Sequence, residues 1–263
     1  MNILIIGDIF GNVGKETIEK YLDIIRKDNN IDFTIANIEN LTNGKSIDKK
    51  DYQWCCEKKF DVLTSGNHIL ANREVNELLS TKNNILRPLN MGPHYLGKGT
   101  EVFKWKDKSI RVSNLLGKTF IDKSDNPYHY IEEVIKNDNS DLHIIDFHAE
   151  ATSEKISLAW FLDGKITALY GTHTHVQTAD ERLLPNGTAF ITDIGMTGPY
   201  NSIIGVNPDE VISLQRTNIP IRFKNAIGEG IMGCIILCVD NKTNQVIKIK
   251  RILITPDKPY QNH

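Results

Sequence analysis

At 263 residues, with 40% hydrophobic and 24% charged side chains, the sequence can bury a sizeable core, and its composition excludes a disordered or fibrous chain. Its formal net charge of −2, from 31 basic and 33 acidic residues, argues against long nucleic acid or an anionic membrane as the main partner. No apolar run reaches the roughly 20 residues a bilayer span requires, and Ile3 to Ile6 lacks the basic flank and cleavage site of a signal peptide. The four cysteines, Cys55, Cys56, Cys234 and Cys238, have neither disulfide-framework nor zinc-ribbon spacing and read as buried small hydrophobes. A cytoplasmic protein fits these features.

In chain order, Ile3 to Ile6 predicts a buried strand, and Gly14 to Lys27 a helix with Ile18, Leu22 and Ile25 on one face. Phe33 to Ile38 predicts a second strand, Asp48 the cap of a second helix, and Phe60 to Thr64 a third strand followed by a helix from Asn72 to Leu79. Beyond a loop-rich passage around Gly92, Pro93, Gly97 and Gly99, Val102 to Trp105 and Ile110 to Leu115 read as strands joined at Asp107-Lys108. Tyr128 to Ile135 is helical in pattern, Leu142 to Phe147 is an apolar strand, and Ser153 predicts the cap of a helix to Asp163 that stops at Gly164. From Ala168 onward strands and turns dominate: Leu169-Tyr170, Ala189 to Thr192, and two long strands, Ile231 to Val239 and Val246 to Leu253, around the hairpin loop Asn241 to Asn244. Alternating strands and helices predict an α/β fold, by pattern two or three layers thick, and the absence of repeats or a linker predicts one domain over 1–263.

The polar residues sit just beyond the strands. Gly7-Asp8 follows the first, Glu39-Asn40 the second, Gly66-Asn67-His68 the third, His148 closes the strand from Leu142, and His173 and His175 follow Leu169-Tyr170. Ligands of open α/β sheets bind at the carboxyl ends of strands, so five strands deliver two carboxylates, two amides and four histidines to one edge. These donors suit iron, manganese, cobalt or zinc. Seven ligands, Asp8, Glu39, Asn40, Asn67, His148, His173 and His175, exceed the three of a catalytic zinc and suit two ions roughly 3.5–4 Å apart, with Glu39 as the carboxylate bridge.

Taken singly, each residue has a plainer reading. Asp8 after glycine is a turn residue, Glu39-Asn40 a solvated strand end, Asn67 a loop former and His148 a hydrogen-bonded core histidine; joint placement on five loops is what raises the metal reading. His94, His129, His143 and His263 lack that placement and read as surface or satisfied core. Gly11 to Gly14 opens a helix whose N-terminus could attract an anion, or is simply a tight turn. Gly195 to Pro199 is expected to line a pocket or to turn, and Thr178, Asp180 and Arg182 to orient the histidines.

Gly66-Asn67-His68, His148 and Gly171-Thr172-His173-Thr174-His175 resemble the calcineurin-like metallophosphoesterases, whose motifs run D-x-H, G-D, G-N-H, H and G-H-x-H. Here the first is Asp8-Ile9-Phe10, without the histidine, and Glu39-Asn40 stands in place of Gly-Asp. Those departures are similar to the YmdB-like branch of bacterial phosphodiesterases. So are His148-Ala149-Glu150-Ala151-Thr152-Ser153-Glu154-Lys155 and the run Gly171 to Gly198, with Thr178 to Arg182 and Gly195 to Gly198. The resemblance spans nearly the whole chain. One stretch differs: where relatives carry an apolar residue and then Trp-Asp, this chain has Ile69-Leu70-Ala71.

The resemblance implies a metallophosphoesterase-type α/β/β/α sandwich and a pair of divalent or trivalent ions, iron first and Mn, Co or Zn as alternatives. It implies one ion on Asp8, Glu39, Asn40 and His175, the other on Glu39, Asn67, His148 and His173, and His68 as the proton donor. The expected activity is hydrolysis of small phosphodiesters, 2′,3′- or 3′,5′-cyclic nucleotides, by a hydroxide held between the ions, with His68 as general acid. Two alternatives stay open: a broad phosphomonoesterase, and a nucleotide-binding regulatory protein with incidental activity. The expected partner is the small substrate, and a homo-oligomer is left open.

Overall fold

The computed structural model describes residues 1–122 and 124–261, so His263 lies outside the described residues. The first half builds β1 (Asn2–Ile6), β2 (Asp8–Ile9), α1 (Gly11–Asp28), β3 (Phe33–Asn37), α2 (Lys49–Glu57), β4 (Val62–Thr64) and α3 (Val75–Thr81). The middle adds β5 (Thr100–Trp105), β6 (Lys108–Leu116), α4 (Pro127–Lys136), β7 (Leu142–His148), α5 (Thr152–Phe161) and β8 (Ala168–Thr172). The remainder comprises β9 (Arg182–Leu183), β10 (Ala189–Ile191), β11 (Met196–Pro199), α6 (Pro208–Thr217), β12 (Gly230–Val239) and β13 (Val246–Ile254).

These strands form two sheets. One runs β2-β11-β12-β1-β3-β4, with β13 also paired to β12; the other runs β5-β6-β7-β8-β10-β9. Side-chain alternation explains how the two sheets and their helices stack. Ile3 and Ile5 of β1 face the space between the sheets, whereas Leu4 and Ile6 meet Ile18, Leu22 and Ile25 of α1. Leu142 and Ile144 of β7 likewise face between the sheets, and Ile145 and Phe147 meet Leu158 and Ala159 of α5. Three cores therefore separate four layers, an α/β/β/α sandwich. The pattern alone predicted two or three layers; a strand apolar on both faces does not reveal whether a helix or a second sheet covers each one. Each fully buried Ile or Leu contributes about 1.5–3 kcal/mol relative to exposure.

Parallel strands β1, β3 and β4 follow from the crossover helices α1 and α2, and β12 joins β1 antiparallel, which makes this sheet mixed. Asp48 caps α2 by accepting from the Asp51 amide at 2.7 Å. α5 starts two residues earlier than the sequence suggests: Ala151 holds the cap position, and Ser153 lies within the first turn. Gly195 to Pro199 is not a turn, because Met196–Pro199 is the buried strand β11 between β2 and β12. Glycine content masked its strand character. α6 was also missed among the expected strands and turns, as it buries only Glu210 and so shows no apolar stripe. Cys55 and Cys234 are buried as expected, Cys238 is half-buried and Cys56 is exposed. Among the described residues, no helix is long and apolar enough to cross a membrane.

Candidate metal centre

Both sheets send strand ends to one edge. β2 begins with Asp8; Glu39 and Asn40 follow β3; Asn67 and His68 follow β4; His148 ends β7; His173 and His175 follow β8. Glu39 Oε1 at 3.0 Å, Asn67 Oδ1 at 3.1 Å and His173 Nδ1 at 3.0 Å all surround His148 Nε2. Two donors each about 2.1 Å from an ion and at right angles to each other lie about 3.0 Å apart, so these contacts have the length of coordination edges. Glu39, His148 and His173 form the one group of histidine, cysteine and carboxylate side chains among the described residues whose geometry could hold a metal ion.

Asp8 and Asn40 stand beside this group. Asp8 Oδ2 accepts from the His173 amide at 3.3 Å, and its Oδ1 lies 3.7 Å from His148 Nδ1. Asp8 Oδ1 and Asn40 Oδ1 are buried and accept no hydrogen bond among the described residues. Such orphaned oxygens are costly unless something else satisfies them, and a cation does so. His175 donates from Nδ1 to the Ile204 carbonyl at 2.8 Å, which leaves Nε2 with the lone pair.

The electrostatics also call for a cation. Burial pushes the Asp8 carboxyl above its ordinary value. Burial would push Glu39 up and His148 down, yet their ion pair outweighs it: Glu39 is held low and His148 high. Burial, with His148 close by, takes His173 down to about 3. The raised His148 imidazole thus balances the Glu39 carboxylate, a balance that metal ions would provide instead.

Local backbone supports this shape. His173 and His175 both adopt left-handed conformations, φ 96° and 63°, which cost non-glycine residues of order 1–3 kcal/mol each and persist where surroundings impose them. The alternation expected for an extended His-x-His pair is therefore not what brings the two together. Gly66 is constrained differently. Its φ is ordinary, but a Cβ there would overlap Glu39 Oε2 and His148 Nε2. Gly66→Ala should fold and lose metal affinity by more than the roughly 10–100-fold typical of a supporting contact. Calorimetric metal titration of the variant checks this; wild-type affinity would contradict it.

Sequence reasoning missed the residues beneath the cluster. Asp146, buried in β7, accepts from Asn37 Nδ2 at 3.0 Å and Thr64 Oγ1 at 2.5 Å, both of the facing sheet, and from Thr172 Oγ1 at 2.6 Å. Thr172 in turn lies 2.8 Å from His148 Nδ1, so a carboxylate-hydroxyl-imidazole chain fixes which nitrogen His148 presents. Burial raises the Asp146 pKa to about 6. Asn114 of β6 reinforces the junction by accepting from the Ser65 amide at 2.9 Å. Polar residues inside apolar strands, Asn114 and Asp146, were the available signal.

Among the described residues, Thr178, Asp180 and Arg182 make no hydrogen bond to the histidines. Thr178 donates to Asp180 at 2.6 Å, Asp180 accepts from Thr192 Oγ1 at 2.5 Å, and Arg182 lies over the Phe190 ring. Instead Asp193 steadies the loop, accepting from the Thr174 amide at 3.2 Å and from the fully buried Lys155 at 2.7 Å. Lys155→Met strands that carboxylate and should destabilise the fold by about 3–5 kcal/mol, measured by urea unfolding; a change under about 1 kcal/mol would contradict the role.

His68 is half-buried on the rim. Its amide donates to Glu39 Oε2 at 3.1 Å, and burial lowers its imidazole pKa. Ile69-Leu70-Ala71 forms a 3₁₀ turn just after it, with Ile69 buried and Ser46 Oγ donating to the Ile69 carbonyl. The departure from the family's Trp-Asp thus provides no carboxylate to the ring. His143 is core, bonded to Asp138 and Ser113, while His94 and His129 are exposed. The Gly11 amide donates to the Asn40 carbonyl at 3.0 Å, tying the start of α1 to the loop after β3.

Carboxylate, amide and imidazole donors at the carboxyl ends of strands from two facing sheets define a metallophosphoesterase-type protein. A family model described as YmdB-like protein matches residues 4–252. The 2′,3′-cyclic-nucleotide 2′-phosphodiesterase of Bacillus subtilis is 40% identical over 259 residues, 98% of either chain. A crystal structure titled as a novel phosphatase from Mycoplasma pneumoniae superposes with a TM-score of 0.93 at 36% identity, covering 97% of this chain and 93% of that one. One of a hypothetical protein from Thermus thermophilus gives 0.92 at 34% identity, covering 96% and 98%. The chain belongs to the YmdB-like family, within the calcineurin-like metallophosphoesterases.

Proposed function

We propose that the chain is a dinuclear-metal phosphodiesterase acting on small phosphodiesters, with 2′,3′- and 3′,5′-cyclic nucleotides as the leading substrates. The observation that carries this is the convergence of Glu39, Asn67 and His173 on His148 Nε2 at 3.0–3.1 Å beside the orphaned oxygens of Asp8 and Asn40. The relative from Bacillus subtilis, named for 2′,3′-cyclic nucleotides, supports the substrate class.

Asp8, Glu39, Asn40 and His175 would hold one ion, and Glu39, Asn67, His148 and His173 the other, with iron the leading candidate and Mn, Co or Zn the alternatives. When bound, such ions lower the pKa of water and neutralise phosphate oxygens. The protein's own groups do the rest. Glu39 holds the His68 segment through the His68 amide, and the His68 imidazole delivers a proton to the departing ester oxygen. Asp146, through Thr172, keeps His148 turned with Nε2 inward. Because donors come from both sheets, the reading takes 1–263 as one functional domain; four free cysteines support a reducing, cytoplasmic setting.

The test pairs metal analysis of anaerobically purified protein with a screen of cyclic nucleotides, p-nitrophenyl phosphate and bis-p-nitrophenyl phosphate. About two metal ions per chain with faster diester than monoester cleavage is expected. Metal-free protein, or monoester cleavage alone, would overturn the reading.

A further inference from the structure

His148 and His173 each have one ring nitrogen in the cluster and the other tied elsewhere, His175 is tied through one nitrogen as well, and the three ties differ in kind. His148 is tied through Nδ1 to Thr172, wholly inside the protein. His175 is tied through Nδ1 to a main-chain carbonyl, Ile204. His173 is reversed: its Nδ1 meets the cluster, and its Nε2 lies 3.1 Å from Glu150 Oε2, a side chain still 46% exposed. Glu150 comes from the loop between β7 and α5, two residues beyond His148, so one short segment supplies a cluster histidine and the tie for another.

We propose that Glu150 is a positioning residue that sets the affinity of one ion of the pair, the one assigned to Asn67, His148 and His173. This rests on the metal reading above. Its carboxylate accepts the Nε2–H of His173, so that the imidazole proton stays on Nε2 and the lone pair on Nδ1 points into the cluster. Its negative charge also makes that lone pair a better donor. The tie matters more here than for an ordinary histidine, because His173 sits at φ 96° and the hydrogen bond from its backbone amide to Asp8 fixes the main chain, not the ring. His175, assigned to the other ion, is tied to the Ile204 carbonyl and not to Glu150 among the described residues, so the effect falls on one ion alone. Because Glu150 is half in solvent and packs no core, removing it leaves the metal-free fold intact.

The experiment compares wild type, Glu150→Ala, Glu150→Gln and His173→Ala by metal content after graded chelator challenge, with the melting temperature of each metal-free protein. Glu150→Ala should hold one ion about 10–100-fold more weakly and pass through a one-metal state, with the metal-free melting temperature unchanged. Glu150→Gln, which still accepts from Nε2, should recover most of the loss. Loss of one ion in His173→Ala with wild-type retention in Glu150→Ala would overturn the proposal and leave the metal site standing. Equal loss of both ions in Glu150→Ala would also overturn it. Wild-type metal retention in His173→Ala would overturn the metal assignment itself, and the proposal with it.

Discussion

Replacing Glu39 with alanine is expected to strip both ions from the protein and to lower turnover by at least about 10²–10³-fold, the scale of losing one preorganised charge-stabilising group. The reason is its placement. Oε1 lies 3.0 Å from His148 Nε2, Oε2 receives the His68 amide, and the side chain is buried between the two donor groups. The neighbouring carboxylate of Asp8 cannot slide into its position, because it is held by the His173 amide. Asn40→Ala removes one neutral donor from one ion and should hurt less. Elemental analysis and steady-state kinetics of the two variants decide this; Glu39→Ala with full metal content would contradict the bridging role.

His68→Ala is the second large effect and has the opposite signature. Metal content should be unchanged while turnover falls about 10²–10⁴-fold on substrates with poor leaving groups. A good leaving group such as p-nitrophenolate needs little proton delivery, so the deficit should shrink there. The geometry supports this separation, since His68 meets the cluster through its amide and leaves its imidazole on the half-buried rim. Equal deficits on good and poor leaving groups would contradict the acid role.

Much of the site was legible because its residues break a pattern. Asp8, Glu39, Asn67, His148 and His173 are polar groups at the ends of apolar strands, and a strand end is where an α/β fold presents ligands. What joins them was hidden. Asp146 lies within an apolar strand, and only the facing sheet reveals that Asn37 and Thr64 converge on it. Lys155 and Asp193 are separated by 38 residues and meet only once α5 packs over β8. The left-handed turns at His173 and His175 have only a weak sequence signature, since neither residue is glycine and histidine adopts positive φ uncommonly. In the fold, strongly periodic elements such as α1 and β12 were readable, whereas the short glycine-bearing β11 and the exposed α6 lacked the pattern on which such readings depend.

On the proposed function, these side chains hold two ions sharing Glu39. Anomalous diffraction at the metal absorption edge, on crystals of protein purified without oxygen, tests it most directly. Two peaks roughly 3.5–4 Å apart on either side of the Glu39 carboxylate are expected, one beside Asp8, Asn40 and His175 and the other beside Asn67, His148 and His173. A single peak, or none at this cluster, would contradict it.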